Sequence, residues 1–182
     1  MAVASAELLR DFVNTYDVEE GREALAEPAD LARWLAAAGL THPAVTAPTT
    51  PADLRAAHEL REALRSALRE NHDGLTEHPE LEELAGRHVL RLTFGPDGPA
   101  LAPARHGGRP AQAALARIVA AVLATAAEGR WSRLKVCAED ACQWAFIDSS
   151  KNRSRSWCSM KVCGNRAKTR AYRARRRTED DG

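Results

Sequence analysis

Apolar side chains in the first 130 residues recur mostly at three- and four-residue intervals, the spacing that gathers them on one face of a helix. Leu8, Leu9, Phe12 and Val13 mark a first helix over 5–14, with Ser5 as its cap and Asn14 as the amide that ends it. Leu31, Trp34, Leu35 and Ala38 mark a second, over 28–38, stopped by Gly39; Leu54, Ala57, Leu60, Leu64 and Leu68 mark a third, over 51–70. Both of these open Pro-Ala-Asp-Leu. Proline at the first helical position loses no hydrogen bond, and Asp30 or Asp53 two residues on meets the positive end of the helix dipole. On the third helix, His58, Glu59, Arg61 and Arg65 read as a solvated face with helix-spaced ion pairs.

Past a short helix over 80–85 the period changes. Val89, Leu90, Leu92 and Phe94 form an extended run, Gly95-Pro96-Asp97-Gly98 is turn chemistry, and Ala100-Leu101-Ala102 returns. This predicts a β-hairpin, which is marginal alone and should pack on the helices. Gly107-Gly108-Arg109-Pro110 breaks the chain before a last helix over 111–128, with Leu115, Ile118, Val119, Val122 and Leu123 on one face. Arginines and acids are expected to interrupt every apolar run short of a membrane span.

From residue 131 the pattern shortens. Leu134-Lys135-Val136 and 143–148 read as two strands around a knuckle at 138–141, with Trp144, Phe146 or Ile147 covering what the knuckle holds. A basic helix begins near Cys163. The expected fold is therefore α+β, mostly α. A helical N-terminal domain (1–130) with one β-hairpin precedes a small module (131–182), treble-clef-like in preference to a symmetric zinc ribbon, that ends in the basic helix.

The chain has four cysteines, in two equal pairs, Cys137-x4-Cys142 and Cys158-x4-Cys163. Four thiolates fill a tetrahedral metal site with no open position, the requirement of a structural zinc. Disulfides, an iron–sulfur cluster or a redox pair are the alternatives. The start of the chain lacks a basic segment followed by an apolar core, so a cytoplasmic protein with reduced cysteines is expected. One structural Zn2+ on Cys137, Cys142, Cys158 and Cys163 is the favoured reading. Roughly fifty residues with few large apolar side chains bury too little to fold without such a staple. Lys135, Lys161 and Arg166 are expected to offset the charge of the thiolates.

Charge is distributed unevenly along the chain. Residues 151–177 carry eleven Lys or Arg and no acid, whereas residues 1–150 carry 22 acidic against 15 basic side chains. A solvated helix usually mixes its signs, so the run implies a polyanion. Arg166, Arg170, Arg173 and Arg177 make one edge of the helix, widened by Lys168, Arg175 and Arg176. Ala167, Ala171 and Ala174 make a stripe that can rest on the module. Lys151, Arg153 and Arg155 in the preceding loop, and Lys161, supply further phosphate contacts, and Asn165 joins Arg166 and Arg170 as a reader of base edges.

Cys163-Gly164-Asn165-Arg166 and its surroundings over 131–177 resemble the CGNR zinc-finger family, bacterial transcription regulators induced by stress with a helical N-terminal domain. The segments 8–17 and 28–40 are similar to that family's N-terminal portion. The resemblance implies zinc at the four cysteines and nucleic-acid binding by the basic helix. The alanine and arginine bias also fits a GC-rich bacterial genome. A DNA-binding regulator is thus the expected function, working as a homodimer because one basic helix reads little sequence, with a small-molecule effector for the N-terminal domain. RNA or the ribosome, and an acidic protein partner, are the competing ligands. The chain shows no nucleophile–base pair, phosphate loop or open metal site, so no enzyme and no membrane association are expected.

Overall fold

The computed structural model describes residues 5–42, 47–75, 77–96, 98–104 and 109–180, without the side chains of 174 and 177–180. Its helices are α1 (Ser5–Val13), α2 (Pro28–Ala37), α3 (Pro51–Glu70), α4 (Pro79–Gly86), α5 (Pro110–Ala127) and α6 (Asn165–Asp180). Three antiparallel hairpins interrupt them: β1 (Tyr16–Asp17) with β2 (Arg22–Glu23), β3 (Leu90–Gly95) with β4 (Gly98–Pro103), and β5 (Leu134–Val136) with β6 (Ala145–Ile147). The mostly helical α+β architecture read from the sequence is the one observed.

Capping fixes where the long helices start. Thr50 Oγ1 accepts from the Asp53 amide at 3.2 Å while the Asp53 carboxylate accepts from the Thr50 amide at 2.9 Å. This reciprocal box satisfies two otherwise orphaned donors. Asp30 likewise accepts from the Glu27 amide at 2.9 Å. Asp53 also accepts from Gln112 Nε2 at 2.6 Å, which ties the start of α3 to α5. Gly39 and Gly129 end α2 and α5 with φ of +70° and +67°, conformations costly for a residue with a Cβ.

The core gathers Leu8, Leu9, Phe12 and Val13 of α1, Leu31 and Leu35 of α2, Leu60, Leu64 and Leu68 of α3, and Leu115 and Ile118 of α5. Phe12 and Trp34 meet with ring centroids 5.3 Å apart. Packing does not pause at residue 130. Leu134, Val136 and Ala145 of the last hairpin belong to the same buried cluster.

Three expectations need correction. Arg61 and Arg65 are not on a solvated face; each is about 4% exposed, because polar groups of α1, the first hairpin and the C-terminal segment close over them. The β3–β4 hairpin touches α5 through β4, yet Val89, Leu92 and Phe94 stand 62%, 60% and 80% exposed. Its Gly95↔Gly98 closing pair is present, whereas Asp97 of the turn, like Gly107 and Gly108, lies outside the described residues. Finally, α5 is long and apolar enough to cross a membrane, with a mean hydropathy of 1.5 and Arg117 as its charged residue. It serves as a core helix, burying Ala111, Ala114, Leu115, Ala116 and Ile118.

Candidate metal centre and nucleic-acid surface

The β5–β6 hairpin delivers Cys137 and Cys142 from a tight knuckle. Cys137 N donates to Trp144 O at 2.9 Å, and Glu139 O accepts from Cys142 N at 2.8 Å and Gln143 N at 3.1 Å. Gln143 closes the turn at φ +50°. The second pair comes from the other end of the module. Ser159 caps a π-type turn, Met160–Gly164, that carries Cys163 and runs directly into α6. All four sulfurs lie within 4.8 Å of one another, with Cys142–Cys158 at 3.6 Å and Cys158–Cys163 at 3.8 Å. A tetrahedron with Zn–S bonds of about 2.3 Å has edges of about 3.8 Å, so the donor set fits the ion. Burial and the neighbouring sulfurs push the Cys158 and Cys163 thiols far upwards, Cys163 to about 12. Thiolates crowded this closely need a cation between them. Trp157 packs on the sulfur cluster, not Trp144, Phe146 or Ile147. Those three face solvent, Arg155 and the main core respectively, because the strand pleat turns them away.

Polar side chains of α3 and of the residues just past the ends of α1 and α3 grip the hairpin by its backbone. Asn71 Nδ2 donates to Trp131 O and Leu134 O at 2.9 and 2.8 Å, and His72 Nε2 lies 2.7 Å from Val136 O. Asn14 makes a two-way bond with Ala145, donating to its carbonyl at 3.0 Å and accepting from its amide at 2.7 Å. Arg65 donates to Gln143 O at 2.9 Å while also reaching Val13 O and Tyr16 O at 2.8 and 3.1 Å. Arg130 clasps Glu7 of α1 through both nitrogens, at 3.0 and 2.6 Å.

Asp148 organises the loop between the cysteine pairs. Fully buried, it accepts from Ser150 N at 2.9 Å, Arg155 N at 3.0 Å and Lys135 Nζ at 3.1 Å. Burial alone would raise its pKa, but these bonds outweigh that and hold it at about 2. Lys135 is therefore spent on Asp148 and is not a counter-charge to the thiolates.

The cationic residues separate into two groups. Arg155 turns inward, donating to Trp157 O at 2.8 Å and to Cys158 O, and lies 4.9 Å over the Phe146 ring. Arg153 adopts φ +53° and donates to Ser132 Oγ at 3.1 Å. Arg166 pairs with Glu19 of the β1–β2 turn at 2.6 Å, and Arg170 pairs with Glu139. Asn165 Nδ2 donates to Lys161 O at 3.0 Å, closing the turn before α6. Lys151, Lys161, Lys168, Arg173, Arg175 and Arg176 are exposed, Arg176 over the Tyr172 ring at 5.7 Å; Arg153, Asn165, Arg166 and Arg170 are exposed as well, despite the contacts just given. The side chains of Arg177 and Ala174 lie outside the described residues. Ala167 is half-buried but Ala171 is exposed, so the alanine stripe leaves the module after its first member. A straight helix diverges from so small a base.

Sequence reasoning missed Glu139, Asp148, Glu19 and the gripping set of Asn14, Arg65, Asn71 and His72. Asp148 had a local signal, an acid followed by Ser149-Ser150, the pattern of a side chain that bonds the backbone two residues on. The others act over long sequence separations and leave no local pattern.

Comparison with known families agrees with this construction. The family described as CGNR zinc finger matches residues 133–176. The family ABATE, described as "Putative stress-induced transcription regulator", matches residues 6–134. No curated protein matches the chain. The sulfur cluster with the zinc-finger match makes this a structural Zn2+ site, as expected from the cysteine spacing.

Proposed function

The chain belongs to the ABATE family, described as "Putative stress-induced transcription regulator", and from that premise we propose that it binds DNA through α6 in a zinc-dependent manner, in the cytoplasm. One observation carries the reading. Lys161, Lys168, Arg173 and Arg176 stand exposed on or beside a helix rooted in the metal site, in a stretch of eleven cations without an acid. Such a surface lowers its free energy by displacing the counterions of a polyanion. Lys151 extends it from the loop, and Arg166 adds to it once released from Glu19, a pair half-exposed on both sides and therefore weak. A single helix of this kind reads few bases, so a second copy at an adjacent half-site supplies the rest of the specificity.

The test is fluorescence anisotropy of labelled duplex DNA and structured RNA over a potassium chloride series. Duplex DNA should bind more tightly than RNA, with a slope of about −0.9 per phosphate neutralised. The Lys168→Glu, Arg173→Glu, Arg176→Glu triple variant should abolish binding at full zinc content. Retained affinity in that variant would move the interface elsewhere, and stronger binding of RNA would change the ligand.

A further inference from the structure

Resting on that reading, we infer that the Glu139–Arg170 pair aims α6, so that Arg170 is a positioning residue and not a phosphate ligand. Glu139 sits inside the knuckle between Cys137 and Cys142, and its carboxylate is 3% exposed. Both of its oxygens are taken by the two terminal nitrogens of Arg170, at 2.7 and 2.6 Å. This is the fork-on-carboxylate geometry that fixes direction as well as distance. The root of the helix is held by Cys163, and a helix held at one point can pivot. Arg170 lies seven residues further on, about 10 Å along the axis, so a second attachment there removes the pivot. No apolar packing does this job, because Ala171 and every described side chain after it are exposed.

The energetics separate Arg170 from its neighbour Arg166. If Arg170 swung to a phosphate, the buried Glu139 carboxylate would lose both of its guanidinium hydrogen bonds, a change strongly disfavoured in a protein interior. The hydrogen-bonded partner that Arg166 leaves is Glu19, which is 39% exposed and readily rehydrated. Asp140 offers Arg170 only a solvent-screened attraction, since it is 91% exposed and meets Arg69 of α3 at 3.0 Å. The cations left to meet nucleic acid are then Lys161, Lys168, Arg173 and Arg176, on a helix whose direction the knuckle sets.

The sign of one substitution decides the matter. In full-length, zinc-loaded protein with a labelled random-sequence duplex, Glu139→Gln should weaken binding on the order of tenfold while leaving the salt slope unchanged. Arg170→Gln should do the same, and the double variant should be no worse than either. Arg170→Lys, which keeps the charge but not the fork, should behave like Arg170→Gln. Tighter binding by Glu139→Gln overturns the inference, as does a slope shallower by about 0.9 in Arg170→Gln with affinity kept in Arg170→Lys. Zinc stoichiometry accompanies each variant; Arg170→Lys keeps every knuckle residue and a cation beside Glu139, and stays informative if Glu139→Gln or Arg170→Gln loses metal. Backbone 15N relaxation gives a readout free of DNA. Residues 168–176 should become more mobile relative to β5–β6 in Glu139→Gln, and unchanged relaxation overturns the inference whether or not DNA binds. A wild-type protein that binds no nucleic acid, with α6 loosened in the variant, would defeat the proposed function alone.

Discussion

Replacing Arg65 with methionine tests the claim that the N-terminal helices and the zinc-bearing hairpin are one folded unit. Arg65 is 4% exposed and donates to three backbone carbonyls in three segments, those of Val13, Tyr16 and Gln143, while Nε meets Glu62 at 3.0 Å. Glu62 is 47% exposed, so the ion pair itself is screened and contributes little. The carbonyl bonds matter more. A hydrogen bond from a charged group is worth about 1.5–3 kcal/mol, and methionine fills a similar volume while leaving the three acceptors without a donor. Allowing for partial hydration at the edges, Arg65→Met should destabilise the protein by about 3–5 kcal/mol, a large part of a typical total of about 5–15 kcal/mol. In a chain of this size that is a fall in Tm of roughly 10 °C or more. Urea unfolding followed by far-UV circular dichroism, with a zinc assay on the same samples, measures it. A loss under about 1 kcal/mol, with one sharp transition and full metal, would show that the guanidinium is a surface group and that the two segments do not depend on it.

Other consequences follow from the same geometry. Cys163→Ser or chelation should release zinc and expose amides of 149–176 to hydrogen exchange, while 134–136 and 145–147 stay protected because Leu134, Val136 and Ala145 lie in the main core. Loss of protection in both strands would refute that division. Asn14→Ala should cost about 1–3 kcal/mol, by stranding the Ala145 amide and carbonyl; a neutral result would mean that water replaces the amide. Asp148 has a folded pKa of about 2 against an ordinary 3.8, so its contribution is present above about pH 4 and disappears as pH falls towards 2. The stability gap between wild type and Asp148→Asn should therefore close across that window, and a gap that stays constant would place the stabilisation elsewhere.

Much of this protein was legible along the chain. Helix faces, the Pro-Ala-Asp-Leu starts, the glycine stops and the paired cysteines are local features, decided by spacing within a dozen residues, and the structure realises most of them, although Leu123, expected on the buried face of the last helix, is 58% exposed. The metal site belongs with these, because tetrahedral sulfur chemistry needs only four cysteines and enough chain to close. Tertiary structure alone decided the fate of the charges. Arg61 and Arg65 share the spacing of a solvated helix face, and only the arrival of Tyr16, Glu23 and Gln143 from distant segments turns that face into an interior. Arg155 and Arg170 look like their exposed neighbours in a basic run until a carbonyl or a buried carboxylate claims them, and Lys135 of β5 is claimed by Asp148 in the same way. A side chain's periodicity states which way it points from its own helix or strand. Whether water or protein waits there depends on elements far away in sequence, and for a charged group that difference determines whether it supports the fold or remains free to meet a ligand.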